Sequence, residues 1–219
     1  MIAIDGPAGS GKSTTARLLA KKLGISYIDS GALYRAITLQ CINERVDIKN
    51  PEEVARLLNQ IDVKLEAGES GNVVFLNGRD VTAEIRSPQV TSQVSAVSAL
   101  PAVREKVTLM LRQISENRSI VLEGRDIGTV VFPNADLKIY MEASIEERAR
   151  RRHRELNDSG VVSNLENIKS DINRRDQHDS QRLISPLSKA PDAIVLNNTA
   201  MSIEKAVEFI VEKIAQRVN

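Results

Sequence analysis

The 219-residue chain carries 30 Lys and Arg against 29 Asp and Glu, a formal charge of +1, with 42% hydrophobic residues and no Trp. That length and apolar share suit one domain, or one domain with an insert, whose core needs no staples, and they exclude a disordered tail. The near-zero charge excludes a surface that is basic throughout, as a nucleic-acid or polybasic membrane footprint requires.

Met1 to Asp5 is a short apolar run that stops at Gly6, and a helical repeat through Thr15, Leu18, Leu19 and Leu23 follows Ser13. Strand, glycine loop and helix are predicted in that order. A second strand is predicted at 25–28, leading through Asp29-Ser30-Gly31 into a helix over 32–44 with Ser30 as its N-cap. Pro51 opens another helix at its first turn. Between Val63 and Val81 the pattern changes to alternation, a Gly68-Glu69-Ser70-Gly71 turn, an apolar run at 73–76 and Asn77-Gly78, which predicts antiparallel hairpins. Helices are expected at 90–98 and 102–116, strands at 119–122 and 137–141, and a charged helix at 145–156. A polar loop with Gly160 leads to a helix at 165–179, a last strand at 193–196 and an amphipathic helix at 203–218. Five short strands alternating with helices, plus a β insert, predict an α/β protein with a parallel sheet.

One cysteine, Cys41, cannot form an internal disulfide and reads as a small buried hydrophobe, while His153 and His178 stand apart from any zinc-type spacing. No run approaches ~18 apolar residues. The first motif begins at Gly6, too early for a preceding signal peptide, so no membrane and a reducing cytoplasmic setting are expected.

Gly6-Pro7-Ala8-Gly9-Ser10-Gly11-Lys12-Ser13 fits G-x-x-x-x-G-K-[ST] without a gap. Its glycines let successive N–H groups converge on one anion, and the following helix adds its positive end. Lys12 is expected at the β- and γ-phosphates and the Ser13 hydroxyl on Mg²⁺. A nucleoside triphosphate is thereby indicated, with the acceptor open. The guanine-reading tetrapeptide Asn-Lys-x-Asp does not occur, and the length leaves little room for a motor's partner domains, so kinase chemistry leads.

Of the 19 arginines, 12 lie between Arg104 and Arg182. Arginine presents a planar fork to phosphate oxygens, and transfer between two phosphorylated molecules must gather many negative charges. Arg175, Asp179 and Arg182 share one face if their helix runs through, and Arg148, Arg151 and Arg152 cluster on another. Intrahelical pairing or a solvated charged face would also explain either set. Gly124-Arg125-Asp126-Ile127-Gly128-Thr129 and Asp29-Ser30-Gly31-Ala32-Leu33-Tyr34-Arg35 each follow a strand, where an open parallel sheet presents its ligand crevice.

In the order IDGPAGSGKST, DSGALYRA, GRDIGTVVFP, ERARRR and RRDQHDSQR leading into SPL, the chain resembles the bacterial cytidylate kinase family of nucleoside monophosphate kinases over nearly its whole length. The resemblance implies a parallel five-stranded sheet of P-loop kinase type flanked by helices, with a small antiparallel β insert in the NMP-binding region. It implies one domain over 1–219, with the insert at about 61–100 and a lid at about 145–165. Gly6, Pro7, Ala8, Gly9, Ser10, Gly11, Lys12, Ser13 and Thr14 would bind ATP, and Ser13 would ligate Mg²⁺. Ser30, Arg35, Arg125 and Arg182 match positions at the CMP phosphate, Arg175 and Asp179 positions at the ribose hydroxyls, and Ser95, Arg104 and Asp126 positions at cytosine. Arg148, Arg151 and Arg152 match the lid over ATP, without a division of adenine and phosphate contacts among them. Lys12, Arg125, Arg148, Arg152 and Arg182 form the expected catalytic set.

Two departures stand out. Glu123 occupies a position where the family often has Asp, and Asn197-Asn198-Thr199 follows the last strand where Asp is common. The implied reaction is ATP + (d)CMP to ADP + (d)CDP by a monomer. A P-loop kinase for UMP, AMP or a small hydroxylated metabolite, and a regulatory nucleotide-binding switch, are the alternatives.

Overall fold

Strand β1 (Ile2–Asp5) is buried along its whole length between two sheet neighbours, three apolar residues followed by a carboxylate. A computed structural model of the chain describes residues 1–68, 71–158 and 160–218. The other strands are β2 (Ser26–Asp29), β3 (Val63–Gly68), β4 (Gly71–Leu76), β5 (Arg79–Asp80), β6 (Ile120–Gly124), β7 (Leu137–Glu142) and β8 (Ile194–Asn197). The helices are α1 (Lys12–Leu23), α2 (Ser30–Asn43), α3 (Pro51–Gln60), α4 (Pro88–Ser98), α5 (Pro101–Ile114), α6 (Ile145–Asp158), α7 (Leu165–Gln181) and α8 (Ile203–Val218). A parallel five-stranded sheet has the order β2-β6-β1-β7-β8, and a separate antiparallel sheet has the order β3-β4-β5. Fold class thus agrees with the sequence pattern. Among the described residues no helix is long and apolar enough to cross a membrane.

The chain divides into two compact units, one of residues 1–25 with 121–219 and one of residues 26–120. In the first, Ala3 and Ile4 of β1, Leu122 of β6, and Ile139 and Met141 of β7 form the sheet's buried interior, while α1 packs on α8 through Ala16, Leu19 and Ile210. The registers Ile4↔Glu123 and Asp5↔Gly124 set the carboxyl ends of β1 and β6 side by side. Gly6 then turns with φ +148° against β7, and a Cβ there would lie 2.0 Å from the Met141 carbonyl oxygen. Only glycine permits that approach. Helices α6 and α7 share a smaller cluster of Ala149, Ile168 and Ile172, flanked by Ile145 and Leu156.

In the second unit, α2 is buried by α4 and α5 through Leu33, Ile37, Val94, Val97, Val103 and Val107. The hairpin signal at Asn77-Gly78 is realised as the turn between β4 and β5, with Asn77 at φ 49°. Glu69 and Ser70 of the expected turn after β3, and Ser159 of the expected lid segment, lie outside the described residues.

Two local expectations need correction. The N-cap of α2 is Asp29, whose carboxylate accepts the Ala32 N–H at 3.2 Å, and Ser30 is already the first helical residue. Asp29 has extended φ/ψ and a side chain three residues ahead of that amide, which is the capping geometry. Helix α7 runs past its expected end at 179 to Gln181 and stops before Arg182, whose ψ of 142° is extended.

Candidate active site

In the first unit, the sharp turn at Gly6 and the start of α1 fold residues 6–13 into a closed loop, and Lys12 folds back into it. Its Nζ donates to the Pro7 carbonyl at 2.7 Å and to Ser10 Oγ at 3.3 Å. Burial lowers the Lys12 ammonium to about 7, and Arg125 and Arg175 push in the same direction while Glu123 and Asp5 oppose them. Ser13 Oγ donates to Glu123 Oε1 at 2.5 Å, so a hydroxyl and a carboxylate from α1 and β6 stand together.

The loop is braced from α6, α7 and the residue that follows β8. Arg148 donates to the Ala8 carbonyl at 3.0 Å and pairs with Asp176, which in turn accepts the Ala8 N–H at 3.0 Å. Arg151 donates to the Ser10 carbonyl at 3.3 Å and to the Asn198 carbonyl at 2.8 Å, and Asn198 Nδ2 reaches the same Ser10 oxygen at 2.8 Å. Arg152 stands away from this group, on Glu155 at 3.0 Å with its side chain 43% exposed.

Beyond β6, Arg125 Nε donates to Asp179 at 3.1 Å, and Arg182 lies 3.7 Å from Asp179 and 4.0 Å from Asp126. Arg182 keeps its place beside Asp179 although it has left the helix. Burial works against the Arg125 cation, but Asp179 and Glu123 more than offset it and its pKa rises. Arg175 is half-buried on α7 and close enough for its charge to act on Lys12. Lys12, Ser13, Arg125, Asp126, Arg148, Arg175, Asp179 and Arg182 therefore belong to one charged constellation within this unit.

The second unit holds its own polar set. Ser30 is buried at the start of α2, and Asp29 beside it pairs with Arg86 at 3.3 Å. Arg35 donates to Thr91 Oγ1 at 2.9 Å and to the Ile85 carbonyl at 3.4 Å. Arg104 donates to the Ser98 carbonyl at 3.0 Å and stacks 5.1 Å from the centre of the Tyr34 ring. Ser95 lies on α4, half-buried, its carbonyl accepting the Ser98 hydroxyl.

Sequence reasoning passed over Asp5, Asp176 and Asn198. Asp176 adjoins Arg175 in the RRDQHDSQR run, a signal that a charge pattern alone did not separate from a solvated helix face. Asn198 gave a signal only as a departure after the last strand. Asn197, its neighbour there, instead accepts from Thr199 at 2.8 and 3.1 Å within its own turn.

A family model described as cytidylate kinase matches residues 2–216. A cytidylate kinase of Geobacillus sp. (strain WCH70) is 47% identical over 99% of this chain and 97% of its own, and one of Bacillus thuringiensis (strain Al Hakam) is 48% identical over 95% and 93%. Among solved structures, an uncharacterized protein from Eubacterium ventriosum ATCC 27560 superposes with a TM-score of 0.55 over 98% of this chain and 97% of that one, at 13% identity, a likeness of fold.

Proposed function

The chain belongs to the cytidylate kinase family, and on that premise we propose how its side chains divide the phosphorylation of CMP and dCMP. The enzyme transfers the γ-phosphoryl group of ATP to the phosphate of CMP or dCMP. One observation carries the division of labour. The Asp5↔Gly124 register sets the phosphate loop beside Arg125 and Asp126, so donor and acceptor groups follow adjacent parallel strands.

Gly6 to Thr14 hold the ATP phosphates, with Lys12 at the β- and γ-positions. Ser13 and Glu123 offer adjacent hard oxygens, a donor set suited to Mg²⁺. These two residues would hold the ion, which when bound neutralises charge on the phosphate oxygens. Arg125, Arg182, Arg35 and Ser30 receive the CMP phosphate, and Arg175 and Asp179 the ribose. Ser95, Arg104 and Asp126 read cytosine. Asp126 accepts from the N4 amino group, whereas uracil offers a carbonyl there and meets a second acceptor.

The acceptor phosphate is already ionised near neutral pH, so no general base is required to make the nucleophile. Catalysis consists of in-line alignment and charge stabilisation by Lys12, Arg125, Arg148 and Arg182. Arg148 and Arg151 reach the phosphate loop, and they are better placed for that work than Arg152, which turns toward Glu155. Closure of the α6 and α7 region over ATP keeps water from the γ-phosphoryl group.

A coupled assay of ADP release with CMP, dCMP, UMP, AMP and no acceptor tests this reading. Rapid release is expected with CMP and dCMP, and at least about tenfold slower release with the others. Equal rates with UMP or AMP would overturn the base-recognition roles, and release indifferent to any acceptor would identify a nucleotide switch instead.

A further inference from the structure

Asp5 ends β1, directly before the phosphate loop. Its carboxylate is buried, 5% exposed, and spends both oxygens on one short segment. Oδ1 accepts the Ile127 N–H at 2.8 Å and Oδ2 accepts the Gly128 N–H at 2.7 Å. Those amides open the π-helical turn Ile127–Val131, whose first N–H groups lack partners within the turn. On the other side, the Asp126 carbonyl accepts the Val130 and Val131 N–H groups at 2.9 and 3.2 Å. The backbone that carries Arg125 and Asp126 is thus pinned on two sides, and Asp5 supplies one of them.

We propose that Asp5 is a positioning residue that fixes Arg125 and Asp126, the acceptor-reading pair, in register with the phosphate loop. The inference rests on the assignment of that pair to CMP. The chemistry of the contact demands a carboxylate, because two N–H donors need two acceptor oxygens. An asparagine would satisfy one amide and set its own NH₂ against the other. Space is limited too. A Cβ on Gly128 would lie 3.1 Å from Lys138 Cδ, a tight approach, and 3.4 Å from Asp5 Oδ2, so the turn is packed between these two side chains. Burial raises the Asp5 carboxyl to about 6, which the Ile127 and Gly128 N–H groups and Lys12 counter and Asp126 reinforces. A carboxylate retained in so unfavourable a setting is consistent with a geometric task.

The test is titration calorimetry of CMP and, separately, ADP with wild type, Asp5→Asn and Gly128→Ala, beside thermal melts of each. For Asp5→Asn, CMP affinity is expected to fall at least about tenfold, the cost of an unmet charge-assisted hydrogen bond. ADP affinity should change less than about threefold, and Gly128→Ala should shift CMP selectively by a smaller factor. Unaltered CMP binding in folded Asp5→Asn, or equal losses for CMP and ADP, would overturn the proposal. If Asp5→Asn does not fold, Gly128→Ala decides alone, with selective loss of CMP upholding it and equal or no loss overturning it. Wild type that fails to bind CMP would instead sink the assignment of the acceptor site.

Discussion

Lys12 is buried beside cations, and its pKa of about 7 leaves it part neutral in the nucleotide-free enzyme near neutral pH. Bound phosphates add negative charge at its Nζ and favour the ammonium. The sign follows from linkage: a group whose pKa rises on binding takes up a proton, and affinity falls as pH climbs above the free value. ADP binding at pH 8 is therefore expected to take up close to one proton, read as a dependence of the calorimetric enthalpy on the buffer's ionisation enthalpy. Lys12→Met should abolish that uptake, and binding without uptake in wild type would contradict this account. The residues of the phosphate loop were legible in the sequence because glycine spacing is a local code. The partners that brace it were not, since the contacts of Asp176 and Asn198 with the loop span 168 and 188 residues.

Helices α6 and α7 present Arg148, Arg151 and Asp176 to the loop, and their shared cluster around Ile168 and Ile172 sets how firmly they do so. Ile172→Ala removes most of a buried side chain and is expected to cost about 2–4 kcal/mol. The loss should be local, raising amide hydrogen exchange in α6 and α7 while β1 and β7 stay protected. Uniform acceleration throughout the chain would show that the pair has no stability of its own. At this scale the sequence was informative about helix existence and weaker at helix ends. Ser30 carried the N-cap signal, yet the cap is Asp29, because φ/ψ at the strand's end decides which side chain meets the third amide. Arg182 shared the period of Arg175 and Asp179, yet the backbone straightens at that residue, and its guanidinium returns to Asp179 from outside the helix.

For the molecule as a whole, Asp5 also makes stability depend on pH. Its folded pKa of about 6 lies above the ordinary 3.8, so the folded state holds a proton that the unfolded chain releases. Its contribution is intact below about pH 4 and is lost as pH rises through about 6, a penalty of about 3 kcal/mol at neutrality. Urea unfolding of wild type and Asp5→Asn between pH 4 and 7.5 should show wild type losing about that much relative to the variant. A constant difference would refute the buried-carboxylate account. The sheet's parallel character was readable from alternating strands and helices. Its order was not, because β1 is flanked by β6 and β7, strands made more than a hundred residues later.

That order has a consequence for synthesis. Residues 26–120 form a continuous unit, whereas the phosphate loop belongs to one completed only by strands and side chains from the distal half of the chain. Because Asn198 bonds the Ser10 carbonyl across 188 residues, the phosphate loop gains its full set of partners only late in synthesis. A growing chain therefore carries the phosphate-loop residues well before the side chains that brace them have been made.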